Sequence, residues 1–430
     1  MQTREKILKS KPSLRTSWVG AALANHMAGN YSKAFDLVKK AQDAMASEPA
    51  GAYETSELLL FQNSCLEKDG RYADTLAHLQ EIGPMVVDKL ALRIKEAQML
   101  LLEGRYDDSQ RAWLALVEEQ PENYRFHCGL QTAHLRLDAA RSAKMLALKR
   151  LDLPSTRLAL SAEQRAMLLE VYRSGAFKAQ KKIEIGLVPV GSAEYREMLE
   201  AHMRKCLQNG VPALFHDVCM QVTRPDPNDA SVMVPIRDDV LFRTHPVAAL
   251  ALELVTNYCT NLRAHDSFDS PLPAGAEIAT PTALLWSMFL QCHLLERGGN
   301  LGAALALIDE CIAHTPTAPD MYMKKAKILK KSGDLARAAE VCDSARAMDL
   351  QDRYLNNKAT KYFLRANAVT QAVATIAMFT KHEGDPQMYL AEMQCNWFEL
   401  ECGEAHARTK SWGPALKKFH SVQVCYLVPY

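Results

Sequence analysis

The 430-residue chain has no close pair of cysteines: its 11 are scattered, and neither CxxC nor CxC spacing occurs. A chain of this length needs no covalent staples. The pattern therefore predicts reduced thiols in a cytoplasmic protein, with no disulfide framework and no zinc ribbon. A charge excess is lacking as well. Lys and Arg total 51 against 50 Asp and Glu, so no global field draws the chain to DNA or to a membrane, and any polyanion must be met locally. No apolar run approaches the roughly 20 residues of a membrane-crossing helix. The polar opening MQTREKILKSKPSLR predicts no signal peptide. GxSxG, Walker A, HExxH and Rossmann glycine patterns are all missing. No catalytic residue, intrinsic cofactor or metal is expected, and no stretch alternates as a strand would.

What is present is a repeat. GNYSKA begins at Gly29, GRYADT at Gly70, GRYDDS at Gly104, GNLGAA at Gly299 and GDLARA at Gly333. Gly70 to Gly104 and Gly299 to Gly333 are both steps of 34 residues, and Leu301, Leu335 and Val369 continue that step, as do Ala304, Ala338 and Ala372. Pro121 follows Ser109 by twelve residues, as Pro316 follows Ala304. This is the tetratricopeptide (TPR) period. Glycine permits the tight turn between two helices, a small residue lets them approach, and proline ends the unit. A helix pair leaves an apolar face bare until the next pair stacks on it. The expected fold is all-α, a TPR-like right-handed helical superhelix.

The expected organisation is TPR-like repeats over 1–150, irregular helix pairs over 151–263, a loop over 264–283, TPR-like repeats over 284–421 and an atypical tail over 422–430. TRPDPNDASVMVPIRDD (Thr223 to Asp239) and AHDSFDSPLPAGAEIATPT (Ala264 to Thr282) are rich in Pro, Asp and Ser and read as loops. Softer breaks fall near Pro154 and Pro189.

Two stretches carry candidate chemistry. In MYMKKAKILKKSGD, helical spacing puts Tyr322, Ala326 and Leu329 on one side and Lys324, Lys327 and Lys331 opposite. Those lysines are either a solvated outer face or a basic contact face for RNA phosphate or an acidic partner. In NWFELECGEAHARTKSWGPALKKFH, Cys402 and His406 share a helical face near Cys395. Small cysteines filling helix seams explain them better than a metal site. Arg408, Lys410, Lys417 and Lys418 gather about a helix start at Gly413-Pro414, where the macrodipole disfavours cations. Either an anion joins them there or the patch is merely solvated. Trp397 and Trp412 are expected to pack this hairpin.

ARAMDLQDRYLNNKATKYFLRANAV followed by EMQCNWFELECGEAHARTKSWGPALKKFH resembles the large auxiliary subunit of the NatA N-terminal acetyltransferase complex. SWVGAALANHMAGNY, YETSELLLFQN, TALLWSMFLQ and TPTAPDMYMKKAKILKKSGD carry the same resemblance, in family order from about Ser17 to Ser421. The resemblance implies a non-catalytic TPR scaffold that cradles and shapes a GNAT-fold catalytic subunit and anchors it at the ribosome, where a second acetyltransferase subunit can join. Acetyl-CoA is then used by the partner. Inositol hexakisphosphate is expected at the subunit junction on Lys and Arg residues; Lys417 and Lys418 match the ALKK portion of that region, and Arg408 and Lys410 match it loosely. The family has further TPR units before this start and continues past this end. The chain therefore reads as a central fragment or shortened product, ending on an unfamiliar SVQVCYLVPY and carrying a longer loop at Thr223 to Asp239. The alternative is a general TPR adaptor for a chaperone or other protein. That reading wants a carboxylate clamp on three adjacent regular repeats, which do not occur before Gly299.

Overall fold

The computed structural model describes residues 2–44, 51–147, 153–174, 181–270, 278–380 and 384–427. Two compact units emerge, one of residues 1–195 with 223–234, the other of 196–222 with 235–430. The first holds α1 (Gln2–Ser10), α2 (Arg15–Met27), α3 (Tyr31–Ala44), α4 (Ala52–Lys68), α5 (Tyr72–Ile82), α6 (Lys89–Leu102), α7 (Tyr106–Glu119) and α8 (Tyr124–His134). It continues through α9 (Ala139–Leu146), α10 (Pro154–Arg157), α11 (Ala162–Ser174), α12 (Lys181–Ile185) and the start of α13 (Ala193–Gln208). The second unit takes over within α13 and adds α14 (Leu214–Met220), α15 (Asp239–Thr244), α16 (Pro246–His265), α17 (Pro281–Arg297), α18 (Leu301–His314), α19 (Pro319–Ser332) and α20 (Leu335–Met348). It ends with α21 (Arg353–Arg365), α22 (Val369–Ala377), α23 (Pro386–Glu392), α24 (Asn396–Arg408) and α25 (Trp412–Leu427). Among the described residues no helix is long and apolar enough to cross a membrane.

The turn motif explains the pairing. Gly29, Gly70, Gly104, Gly299 and Gly333 each sit between the two helices of a pair with φ between +76° and +93°, a left-handed backbone that glycine adopts without steric cost. Asn367 (φ 62) and Lys410 (φ 59) hold the same place in the last two pairs. Five residues after each turn position comes a buried small residue: Ala34, Thr75, Ser109, Ala304, Ala338, Ala372 and Ala415. The hydroxyl of Ser109 donates to the Ala97 carbonyl at 2.8 Å, which shows how near the two helices come. Helices α10, α16, α17, α19 and α23 each begin on proline, whose missing N–H is no loss there.

Between α19, α20 and α21 the core is made of Ala326, Leu329, Ala338, Ala339, Cys342, Ala359 and Tyr362. Cys292, Cys311, Cys342 and Cys402 are wholly buried in such seams. Burial pushes the Cys292 and Cys342 thiols up to about 12.

One expectation is corrected. The Thr223-to-Asp239 stretch is not only loop: it forms a two-stranded hairpin, β1 (Thr223–Pro225) with β2 (Met233–Pro235), and Leu158 bridges to Val232 beside it. The strands are three residues long and end on prolines, too short to show an alternating pattern. The tip is turned by Asp226 and Asp229, whose carboxylates accept from the Asn228 and Ser231 backbone N–H groups. At the other end of the chain, the backbone of α25 stays helical through 422–427, the stretch expected as an atypical tail; residues 428–430 lie outside those described.

Candidate functional site

In the second unit the first helices of successive pairs, α17, α19, α21 and α24, are linked by charged side chains. The repeat register places them. Lys324, Lys327 and Lys331 stand nine, six and two residues before the Gly333 turn; Lys358, Lys361 and Arg365 stand at the same distances before Asn367. One spacing, used twice, puts two cationic rows on neighbouring helices.

The first row closes on a buried acid. Glu296 of α17 is 1% exposed and meets three ammonium groups: Lys324 donates to Oε2 at 2.8 Å, Lys327 lies at 3.4 Å, and Lys331 pairs with Oε1. Burial alone would raise this carboxyl, but Lys324, Lys331 and Lys327 outweigh it and hold it down to about 2. Burial also pulls the Lys324 ammonium down, against the attraction of the carboxylate. With two further cations on Glu296, the pair stays ionised. This corrects the solvated-face reading for Lys324 alone. Lys324 is buried with its counter-charge, while Lys327 and Lys331 remain open to solvent at 47% and 32%.

The second row was not singled out as a site from sequence. Lys361 and Arg365 reach Glu401 of α24 at 3.2 and 3.1 Å. The Glu401 carboxyl, which burial would raise, is lowered by Arg365 and Lys361. Lys330 lies 5.5 Å from the Tyr362 ring, Lys358 5.2 Å from Tyr354 and Lys361 5.6 Å from Trp397. Burial, and then repulsion from Arg365, Lys327 and Lys358, lowers the Lys330 ammonium. Among the described residues neither Lys330 nor Lys358 has a carboxylate partner. An anion beside Lys330, which stands among like charges from two helices, would lower the energy of that arrangement.

The C-terminal hairpin is arranged differently from its expectation. Lys418 is mostly buried; it donates to Glu399 at 3.0 Å and lies over Phe398. Arg408 donates to Asn367 at 2.8 Å and to the Leu364 carbonyl at 2.9 Å, tying off the end of α21. Lys410 is the left-handed turn residue. Lys417 is exposed and, with Lys418, His406, Asp385, Met388 and Glu399, lines a cleft of about 450 Å³. The four expected anion-binding cations therefore do not converge; two of them are committed to protein partners. Trp397 packs as expected, but Trp412 is 62% exposed, and the close approach in the hairpin is made by Phe419 against Gly403 instead. Cys402 lies in the core with Leu364, Ala372 and Phe398, away from the cleft that His406 lines.

The family model described as N-terminal acetyltransferase A, auxiliary subunit, matches residues 53–428. The chain belongs to this family. The Arabidopsis thaliana protein named N-terminal acetyltransferase A complex auxiliary subunit NAA15 is 31% identical over 432 residues, covering 99% of this chain and 44% of its own length. The Homo sapiens N-alpha-acetyltransferase 16, NatA auxiliary subunit, is 30% identical, covering 98% and 44%. A solved structure of Naa15/Naa10 bound to HypK-THB superposes with a TM-score of 0.74 at 27% identity, over 99% of this chain and 56% of that one. This family member thus spans less than half the length of those curated relatives, and it shares its helical-repeat architecture with the solved chain.

Proposed function

We propose that the chain is a non-catalytic scaffold of an N-terminal acetyltransferase, holding and shaping a GNAT-fold catalytic subunit that uses acetyl-CoA. In this reading it places that subunit at the ribosome, so that nascent chains are acetylated as they emerge. The observation that carries the reading is the family match over 53–428, supported by the likeness to a chain solved together with Naa10. The basic rows on α19 and α21 then serve as the seat of a polyphosphate at the subunit junction. A compact polyanion such as inositol hexakisphosphate suits them better than the α25 lysines do. Lys327, Lys330, Lys331, Lys358, Lys361 and Arg365 stand on adjacent helices, and the carboxylates paired with this set are Glu296 and Glu401.

The test is calorimetry on the chain assembled with its catalytic subunit. Replacing Lys330 and Lys358 together by Gln should abolish inositol hexakisphosphate binding, and Lys417→Gln should leave it within about twofold, as a lone exposed lysine contributes little. The reverse pattern would return the ligand to the C-terminal cleft. Failure of the chain to capture any acetyltransferase subunit would remove the scaffold reading itself.

A further inference from the structure

Most cysteines of the chain are sealed in apolar seams, but Cys206 is placed differently. It sits on α13 one helical turn after His202, with its Sγ 3.7 Å from Nε2 and 3.9 Å from Nδ1 of that ring. Asp217 of α14 faces the same imidazole, its Oδ2 3.6 Å from Nε2. The Asp217 carboxylate, followed by the neighbouring sulfur, pushes the His202 imidazole up to about 9, so the ring carries a positive charge at neutral pH. Its side chain is 16% exposed and that of Asp217 10%. Cys206 as a residue is 9% exposed. Cys219 and Cys395 offer a contrast. Both are more open, yet burial pushes the Cys219 thiol up to about 12 and raises that of Cys395.

We propose that Cys206, with His202 and Asp217, forms a peroxide-reactive thiol site. The His202 imidazolium stands 3.7 Å from Sγ, close to where the leaving oxygen of an attacked peroxide would sit, and a thiolate is the nucleophilic form of cysteine. In the step assigned here the Cys206 thiolate attacks one oxygen of hydrogen peroxide. A sulfur–oxygen bond forms, the oxygen–oxygen bond breaks, and the leaving hydroxide takes a proton from the His202 imidazolium to become water. The sulfur is oxidised to the sulfenic acid and the peroxide is reduced. Asp217 keeps the ring charged beside the sulfur. The product is reversible by thiols, and it places a polar oxygen in the seam between α13 and α14.

The experiment treats the full chain with hydrogen peroxide in the presence of dimedone and follows each cysteine by mass spectrometry. Cys206 should be labelled at least about tenfold faster than Cys219 or Cys395, despite their greater exposure. His202→Gln and Asp217→Asn should each slow that labelling without slowing the other two sites. Cys206→Ser should remove it. The comparison among cysteines needs only the unaltered chain, so it stands even where a variant folds poorly. Labelling of Cys206 no faster than of Cys219 and Cys395, or at an unchanged rate in well-folded His202→Gln, would overturn the proposal.

Discussion

Three ammonium groups share one carboxylate at Glu296, and only one of them, Lys324, is buried with it. Removing the carboxylate leaves that ammonium in apolar surroundings among Phe215, Cys292 and His293. Glu296→Gln should therefore cost about 3–5 kcal/mol in denaturant unfolding, the usual penalty for breaking one side of a buried pair. The double change Glu296→Gln with Lys324→Met should restore most of it. If the double variant is no more stable than the single one, the pairing is not what holds α17 to α19. The same carboxyl also sets a pH dependence. Its folded pKa of about 2 lies below the ordinary 4.5, so its stabilisation is present above about 4.5 and is lost as pH falls toward 2. Acid titration of the Gln variant should lack that segment of the curve.

At the scale of elements, the turn position makes a sharp claim. Lys410 fills a left-handed site that five other pairs give to glycine, and a side chain there costs roughly 1 kcal/mol. Lys410→Gly should raise the stability of the last hairpin by up to that amount, read as a higher melting temperature. Ala338, wholly buried where α19 and α20 approach, should behave oppositely: Ala338→Leu is expected to cost about 1–3 kcal/mol by overpacking. Between α13 and α14 the His202–Asp217 pair adds a second pH term. Its folded pKa is raised, so its contribution is full below about 6.5 and disappears as pH climbs through about 9. Melts of the unaltered chain and of His202→Gln should converge above that value.

The glycine turns, the small residues behind them and the prolines at unit ends were legible because each answers a local backbone or steric demand. The charged site was legible only in half. Lys324, Lys327 and Lys331 stood out as a run, but Glu296 lies 28 residues earlier, and nothing local says that a carboxylate there is buried against them. The second row could have been found by carrying the first one forward by the 34-residue repeat. The hairpin at Thr223–Pro235 and the exposure of Trp412 depend on neighbours distant in sequence, which spacing alone does not reveal.

At the scale of the whole molecule, the proposed polyphosphate seat makes a claim about assembly. Ligand that binds only the assembled form stabilises it by RT ln(1 + [L]/Kd), about 2.7 kcal/mol at a hundredfold excess over Kd. Adding inositol hexakisphosphate to the chain with its catalytic subunit should thus raise the melting temperature in proportion to the logarithm of its concentration. The gain should shrink with salt, because the cations Lys327, Lys331 and Arg365 are partly exposed and screened. The isolated chain should turn over no Ser- or Ala-starting peptide, with or without the polyanion. The assembly, by contrast, should acetylate such peptides, and the Lys330/Lys358 double Gln variant should lose the thermal gain while keeping its helical content. A variant that keeps the full gain would separate the scaffold from this ligand and leave α19 and α21 with the structural role of their buried pairs alone.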